Sequence, residues 1–280
     1  MTATDPIPPG RLGRDFGTRL ISGLVLAVAA IGLTWGGVWP FGLLVLAVTL
    51  IVAWEWGHIV RRAGVDTIFV LHAATVLAAV GLSIWGVPAL GLMAVIVGSV
   101  LAALLGFGRL GRISALGVLY SGLPAIALIW IWGSALGLEA ALFILLCVWA
   151  SDTGAYLAGR LIGGPKLMPQ VSPNKTWAGL GGAIVGSVLI AVGFGIALAQ
   201  LPAARLVVTA VALALVSQAG DLMESALKRW YKVKDASGLI PGHGGFMDRV
   251  DGLIFAAVAA AVVASWINIQ EPARVILTWM

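Results

Sequence analysis

The stretch "KRWYKVKDASGLIPGHGGFMDRVDG", residues 228–252, interrupts a chain that is otherwise almost entirely apolar. It holds five basic residues, three aspartates, one histidine and five glycines. On both sides lie apolar runs of about 20 residues, the length that a helix needs to cross a bilayer. The stretch therefore predicts a polar loop between two membrane-spanning helices, and it raises the question of which chemistry needs so much charge at one point.

The composition indicates that lipid surrounds most of the chain. Hydrophobic residues make up 60% of the 280 residues and charged residues 10%, whereas about 25% of a soluble protein is charged. Mean hydropathy is +1.04. We therefore expect an all-α polytopic membrane protein with about nine transmembrane helices. The predicted spans lie near residues 20–39, 41–60, 67–86, 88–107, 114–133, 138–160, 176–199, 203–227 and 250–268.

Basic residues alternate from one side of the predicted spans to the other. Fifteen of the 17 Lys and Arg residues lie in the N-terminal segment or after the even-numbered spans, and the exceptions are Arg205 and Arg274. Basic loops remain in the cytoplasm. This pattern predicts a cytoplasmic N-terminus, an extracytoplasmic C-terminus and a cytoplasmic position for residues 228–252. The net charge of +5 therefore reflects membrane topology, and we expect no nucleic-acid partner.

Polar residues at membrane depth are unevenly divided along the chain. Residues 1–137 are nearly free of interior charge, so we expect an N-terminal transmembrane scaffold that contacts lipid. Residues 138–280 hold nearly all the polar residues of the spans and are predicted to be the C-terminal catalytic region. Charged groups inside a membrane cost roughly 2.5–3.5 kcal/mol each on insertion scales, so by default they mark function.

Two polar clusters surround the connection between the sixth and seventh spans. "WASDTGAYLAGRL" places Asp152 inside the sixth span, where it either binds a ligand or pairs with a base such as Arg160. In "LMPQVSPNKTWAG", Ser172 followed by proline predicts an N-cap that starts the seventh span. Lys175 and Thr176 would then lie in its first turn, where free N–H groups favour phosphate. The alternative is an ordinary capped helix with a lysine that reaches the interface.

Two further clusters are pairs of acids spaced three residues apart. Asp221 and Glu224 share a face of the eighth span, and Asp248 and Asp251 share one at the start of the ninth. Two acids together in a membrane helix repel each other unless a cation lies between them. The alternative for the first pair is an exposed helix end at the interface. Oxygen ligands without sulfur or much imidazole suit Mg²⁺ better than zinc.

The charged residues and the missing motifs narrow the chemistry further. Mg²⁺ together with Lys and Arg is typical of phosphate chemistry. The chain has no G-x-x-x-x-G-K-[ST] loop, which excludes a P-loop nucleotide triphosphatase. It also lacks the aspartate pattern of the CDP-alcohol phosphotransferases. The residues alone therefore predict a metal-dependent phosphoryl or nucleotidyl transfer at the cytoplasmic membrane surface.

The segment "SALKRWYKVKDASGLIPGHGGFMDRVD", residues 225–251, resembles the diagnostic segment of phosphatidate cytidylyltransferases, also called CDP-diacylglycerol synthases. "SDTGAY", "SPNKT" and "GDLMES" resemble the family's other polar blocks, in the same order. The resemblance covers about residues 145–255. It implies that CTP and phosphatidate give CDP-diacylglycerol and pyrophosphate, in phospholipid biosynthesis at the cytoplasmic (inner) membrane. It also implies Mg²⁺, in some members beside a monovalent cation, and a homodimer.

The resemblance, taken with the residue chemistry, also assigns roles to residues of this chain. The implied metal ligands are first Asp221 and Asp248, then Asp152 and Asp251. The implied catalytic residues are Asp152, Lys175, Lys228, Arg229, Asp248 and Arg249. The implied substrate-binding residues are Ser172, Lys175, Thr176, Lys228, Arg229, Lys234, Asp235, Gly242, His243, Gly244 and Gly245.

Two other functions remain open at this point. A relative that acts on another lipid, such as an ether-lipid cytidylyltransferase or a polyprenol kinase, would carry much the same motif residues. An ion-coupled transporter would use the acids as a cation or proton path, which predicts carboxylates near the midplane and polar groups on both sides of the membrane. Here the polar groups cluster on one side, so phosphatidate cytidylyl transfer is the preferred interpretation.

Overall fold

The computed structural model describes residues 23–239 and 244–280 of the chain. They form a helical bundle with one short β hairpin. In chain order the elements are α1 (Gly23–Trp35), α2 (Val38–Arg61), α3 (Thr67–Ile84), α4 (Pro88–Gly106), α5 (Gly108–Trp132), α6 (Gly137–Leu161), β1 (Lys166–Met168), β2 (Ser172–Thr176), α7 (Trp177–Ala197), α8 (Ala203–Trp230), α9 (Met247–Ile267) and α10 (Pro272–Thr278).

Within the described residues, the eight helices from α2 to α9 are long and apolar enough to cross a membrane. They correspond to the second to ninth predicted spans. The first predicted span is represented by the shorter apolar helix α1. The predicted all-α polytopic membrane fold is thus confirmed, whereas the count of nine spans and the orientation of the two termini stay predictions.

The start of the seventh span differs from the prediction. Ser172 is not a helix N-cap, because it begins β2, which pairs with the antiparallel strand β1 so that Met168 lies opposite Ser172. Helix α7 starts after Thr176, whose Oγ1 accepts a hydrogen bond from the Gly179 N–H at 3.0 Å. Lys175 therefore lies in a strand and not in the first helical turn. The Ser-Pro pattern failed because strand pairing with a neighbouring segment outweighed the local capping preference.

Helices α8 and α9 extend farther into the polar stretch than predicted. Helix α8 continues through Lys228 and Arg229 to Trp230, and α9 begins at Met247. The loop between them therefore spans residues 231–246, and the structure describes all of it except residues 240–243. We call residues 231–246 the polar loop.

Close packing brings the polar segments together at one end of the bundle. Helix α9 contacts α2, α5, α6, α8 and α10, so it joins elements from both predicted halves of the chain. Helices α6 and α7 approach through glycines: a Cβ added at Gly154 would lie 2.2 Å from the Gly182 carbonyl oxygen. Small residues allow such close backbone contact between membrane helices. This contact supports the part of α6 that carries Asp152.

Candidate active site

Lys175 connects the β hairpin to α8. Its Nζ lies 2.7 Å from Asp221 Oδ2, and the Lys175 side chain is 16% exposed. The same Nζ donates to Gln218 Oε1 at 3.2 Å and to the Gln218 carbonyl oxygen at 3.3 Å. The ammonium is thus held by one charge and two neutral acceptors, at a fixed point beside α8.

Gln218 extends this network to α6. Its Nε2 donates to Asp152 Oδ1 at 3.1 Å and to Ser151 Oγ at 3.4 Å. Sequence reasoning missed Gln218, which is buried. A signal was available, because Gln218 lies three residues before Asp221 and so shares its helix face. Asp152 does not pair with Arg160, whose Nη1 donates to the Tyr156 hydroxyl at 2.7 Å.

Three aspartates from three helices face the same space. The Asp251 carboxylate interacts electrostatically with those of Asp221 and Asp152, and also with Lys175. Asp251 is buried, with Oδ1 accepting the Gly252 N–H at 2.7 Å. Like charges repel one another. The arrangement therefore favours a cation between them, a position that Lys175 partly supplies.

Lys228, about two turns beyond Asp221 on α8, forms a second group of ion pairs. Its Nζ lies 2.7 Å from Glu224 Oε2 and 2.7 Å from Asp248 Oδ1. Glu224 is almost fully buried, with a side chain 1% exposed. Its Oε2 is thus paired with Lys228, whereas Oε1 has no hydrogen-bond partner among the described residues. The ion pair therefore offsets only part of the cost of burying this carboxyl group in the membrane helix.

Asp248 pairs with Lys228 and also accepts two hydrogen bonds from the polar loop. Its Oδ2 accepts the Ala236 N–H at 3.2 Å and the Gly245 N–H at 3.0 Å. Gly244 adopts φ +79°, a left-handed conformation in which a side chain would be strained. At Gly245, a Cβ would lie 2.6 Å from the Ala236 Cβ. Both glycines are therefore required for the loop to close against the start of α9.

Glu55 brings the first predicted half of the chain into the site. It lies on α2, is fully buried, and accepts hydrogen bonds from the Ser237 hydroxyl and from the N–H groups of Phe246 and Met247. The near absence of interior charge in residues 1–137 predicts scaffold and lipid contact, and Glu55 is an exception to that pattern. The rule that an ionisable residue inside a membrane helix marks function would have identified Glu55.

The remaining predicted residues lie around this centre. Arg229 Nε donates to the Val171 carbonyl oxygen at 3.5 Å, and Arg249 lies in the first turn of α9. Lys234 and Asp235 are exposed on the polar loop. Asp235 also lines a cavity of about 330 Å³ with His58 and Arg62. Gly242 and His243 lie outside the described residues.

A larger, mostly apolar cavity of about 540 Å³ reaches the charged centre from within the bundle. Its walls come from α1, α2, α5, α6 and α9, including Val48, Leu128 and Leu253. Asp152 and Arg249 also line it. Volumes of 300–1,000 Å³ are typical of small-molecule sites. The cavity can therefore hold a molecule with a long apolar part and one charged end.

Comparison with known proteins identifies the family of this chain. The model of the cytidylyltransferase family matches residues 17–267. This chain belongs to the cytidylyltransferase family. The phosphatidate cytidylyltransferase of Brucella suis biovar 1 (strain 1330) is 37% identical over 248 residues, which cover 86% of this chain and 90% of the relative. That of Bacillus subtilis (strain 168) is 43% identical over 121 residues, 42% of this chain and 45% of the relative.

The carboxylates of this cytidylyltransferase match the donor chemistry of Mg²⁺. Over residues 23–239 and 244–280, no group of three or more His, Cys, Asp or Glu side chains has the geometry of a metal site. Mg²⁺ usually binds one or two carboxylates and takes its other ligands from water and substrate phosphates. Asp152, Asp221 and Asp251, which interact electrostatically, offer carboxylates of this kind.

Proposed function

We propose that this cytidylyltransferase condenses CTP with phosphatidate to give CDP-diacylglycerol and pyrophosphate. The structural observation that supports a phosphate-bearing lipid as substrate is the position of the apolar cavity, which is lined by Asp152 and Arg249 near the ion pair of Lys175. A phosphatidate molecule matches this combination of an apolar cavity and charged residues, because it has two apolar acyl chains and one charged phosphate. The names of the relatives support the same reaction.

The lipid would enter this cavity with its chains among the apolar walls and its phosphate toward Arg249. Arginine binds phosphate through a planar fork of N–H donors. Arg249 lies in the first turn of α9, whose N-terminal end also carries a partial positive charge. The charged headgroup would thus reach the site while the acyl chains remain in an apolar environment.

The triphosphate would bind on the side of the two lysines. Lys175 and Lys228 are each held within 2.7 Å of a carboxylate, so two cations stand at fixed points between α8, α9 and the hairpin. Arg229 lies at the end of α8 beside the turn of the hairpin. Preorganised cations of this kind stabilise charge that develops on transferred phosphate groups.

The reaction needs no nucleophile from the protein. A phosphate oxygen of phosphatidate attacks the α-phosphorus of CTP and forms the new P–O bond. The bond from the α-phosphorus to the bridging oxygen breaks, and its electron pair leaves with pyrophosphate. The protein contributes by holding two anions together, and correct positioning alone supplies up to about 7–11 kcal/mol.

Mg²⁺ would neutralise the phosphate oxygens and stabilise the charge of the departing pyrophosphate. We propose that Asp221 and Asp248 hold it, with Asp152 and Asp251 nearby. Asp221 has the clearer position for this role, because it faces Asp251 and Lys175. Asp248 already accepts one ion pair and two backbone hydrogen bonds. The second, monovalent cation and the homodimer that the resemblance implies stay predictions.

The proposed location is the inner membrane, with the active site at its cytoplasmic face. The support is the distribution of basic residues, which favours a cytoplasmic polar loop and an extracytoplasmic C-terminus. A reporter fused after Met280 tests this topology: we expect activity from a reporter that works only outside the cytoplasm. Signal from a cytoplasmic reporter at that position would contradict the combination of nine spans with a cytoplasmic N-terminus.

The reaction is tested with purified protein, labelled CTP, phosphatidate and Mg²⁺, by looking for a labelled CDP-lipid and free pyrophosphate. A panel of phosphatidate, its ether analogue and a polyprenol separates the proposed substrate from the lipids of related enzymes. We expect the highest kcat/KM with phosphatidate. Transfer of a phosphate from CTP to a polyprenol, with no CDP-lipid formed, would overturn the proposal.

A further inference from the structure

Both carboxylate oxygens of Glu55 accept hydrogen bonds from residues 237–247, which lie far from Glu55 in the sequence. Oε1 accepts the Ser237 hydroxyl at 2.5 Å and the Phe246 N–H at 2.8 Å. Oε2 accepts the Met247 N–H at 2.5 Å. The residue is 0% exposed. A carboxylate buried so completely is costly unless donors surround it, and here three donors do.

Two of these donors are the free N–H groups at the start of α9. Helix α9 has no side-chain cap from its own N-cap residue, Phe246. The first N–H groups of a helix have no partner within the helix and carry the positive end of its dipole. Glu55, from α2, therefore caps α9 from outside and places a negative charge where the helix favours it.

Glu55 and Asp248 bind the polar loop at the same two places. Asp248 accepts the N–H groups of Ala236 and Gly245, and Glu55 accepts the next donor on each side, at Ser237 and Phe246. Two carboxylates thus hold residues 236–237 beside residues 245–246. One of these two carboxylates belongs to Asp248. Asp248 directly follows Met247, and the Met247 N–H donates to Glu55.

We propose that Glu55 is a positioning residue of the transferase. From α2 it fixes the first turn of α9 and, through Ser237 and Phe246, two points of the polar loop, so that Asp248, Arg249 and Asp251 face the substrates. The inference rests on the proposed function, since it assigns Glu55 to the same site. It also makes α2, from the first predicted half of the chain, part of the catalytic machinery.

The apolar contacts around Glu55 make it possible to test the positioning role of the carboxylate without unfolding the protein. Trp56, Met247 and Ile254 pack in one buried cluster with Ala236, so α2 and α9 stay in contact without the carboxylate. Glu55→Gln keeps the size of the side chain and one acceptor oxygen. Its NH₂ group replaces the other oxygen and cannot accept a hydrogen bond from the donor at that position. In this variant we expect the helices to assemble, while Ser237 and Phe246 lose their fixed positions.

The kinetic test compares Glu55→Gln with Ser237→Ala and with the control Glu139→Gln. Glu139 lies in the first turn of α6, about 20 Å along that helix from Asp152. We expect Glu55→Gln to lower kcat at saturating CTP and phosphatidate by at least about tenfold, and Ser237→Ala by about two- to fivefold. Glu139→Gln should match the wild type. All rates are expressed per folded protein, measured by gel filtration and thermal melting.

A second measurement reports on the loop itself. Cys147 is the single cysteine and is buried, so Cys147→Ala with Leu239→Cys allows one spin label on the exposed loop residue 239. We expect higher label mobility in Glu55→Gln and Ser237→Ala than in Glu139→Gln. This measurement does not depend on turnover, so it still decides the role of Glu55 if the wild type makes no CDP-lipid and the proposed function fails.

The outcomes separate the possibilities. Lower kcat per folded protein together with a mobile loop supports the positioning role. Wild-type kcat per folded protein in Glu55→Gln, with a melting temperature lowered or unchanged, overturns it and leaves Glu55 as a structural cap. If Glu55→Gln does not fold, Ser237→Ala decides: wild-type kcat and wild-type label mobility would also overturn the proposal.

Discussion

Lys175 Nζ and Asp221 Oδ2 form an ion pair of 2.7 Å between the β hairpin and α8. The pair joins a predicted phosphate-binding residue to a predicted metal ligand, and Gln218 connects both to Asp152. In the proposed reaction a triphosphate and Mg²⁺ would compete with this pair for its two charges. The ion pair thus keeps both groups in place before the substrates bind.

We predict that Lys175→Ala lowers kcat by at least about 10²-fold, or about 2.7 kcal/mol of transition-state stabilisation. The cause is the loss of a fixed cation beside the triphosphate, together with release of Asp221. Lys166→Ala is the matched control, because Lys166 is exposed on the paired strand of the same hairpin. CTP turnover at saturating substrates is measured for both. Near-normal activity of Lys175→Ala would show that the residue serves the structure alone.

Asp221→Asn and Asp248→Asn are each predicted to lower kcat by 10²-fold or more, on the order of 2.7 kcal/mol. Asparagine keeps the size and hydrogen bonding of aspartate but removes its charge. CTP turnover across a Mg²⁺ titration is the measurement, and added Mg²⁺ should rescue the variants partly or not at all. Asp248→Asn should in addition loosen the polar loop, because Asp248 holds Ala236 and Gly245.

The same titration can also reject this metal assignment. Wild-type rates and wild-type Mg²⁺ dependence in both variants would mean that neither aspartate binds the ion. Asp152 and Asp251, which face Asp221, would then be the pair to replace.

A larger side chain in the apolar cavity should raise the KM for the lipid substrate and leave the KM for CTP unchanged. Val48 on α2 lines that cavity, so Val48→Trp would take up space that an acyl chain needs. We expect the KM for long-chain phosphatidate to rise at least about tenfold, since excluding buried methylenes costs about 0.8 kcal/mol each. The KM for CTP should stay within about twofold of the wild type. The readout is kcat/KM with long-chain and with short-chain phosphatidate.

Val100→Trp is the control for that experiment, because Val100 is exposed on α4 and does not line the cavity. It should behave as the wild type with both lipids. An equal loss with long and short chains in Val48→Trp would contradict the placement of the acyl chains in this cavity.

Asp66 should stabilise the turn between α2 and α3 in a pH-dependent way. It caps α3 through the Phe69 N–H at 2.7 Å and pairs with Arg61 Nε at 2.7 Å. Burial alone would raise the pKa of Asp66, but these hydrogen bonds and the Arg61 charge outweigh it, so its pKa lies below the usual value. A lowered folded-state pKa gives stability above the unfolded pKa of about 3.9, which is lost as pH falls through the folded value.

We therefore expect Asp66→Ala to lower the free energy of unfolding at pH 7 by on the order of 1 kcal/mol. Thermal melting of the detergent-solubilised protein between pH 7 and pH 3 measures this. The gap between wild type and variant should narrow below about pH 4, since the carboxylate becomes protonated. A gap that is constant with pH would mean that the charge of Asp66 contributes nothing.

Several residues that the structure brings together in the candidate site could be predicted from local sequence. The predictions that were wrong, and the residues that were missed, have physical reasons. The acids of α8 and α9 were placed on shared helix faces because a helix repeats every 3.6 residues. Ser172 was wrongly made a helix cap because its pairing with Met168 in β1 cannot be seen in the Ser-Pro pattern. Gln218 was missed because a neutral amide gives a weaker signal than a charge within an apolar span.

The amino-acid sequence by itself determined that this protein is helical and lies in a membrane, and it carried the resemblance to phosphatidate cytidylyltransferases. Apolar runs of the length of a bilayer leave few other folds, since backbone groups in lipid must be satisfied within a helix. The tertiary structure alone decided which polar groups meet. Glu55 binds Met247 across 192 residues of chain and Lys175 binds Gln218 across 43. Such pairs arise from the packing of α2, α8, α9 and the hairpin, and no local pattern of residues contains that information.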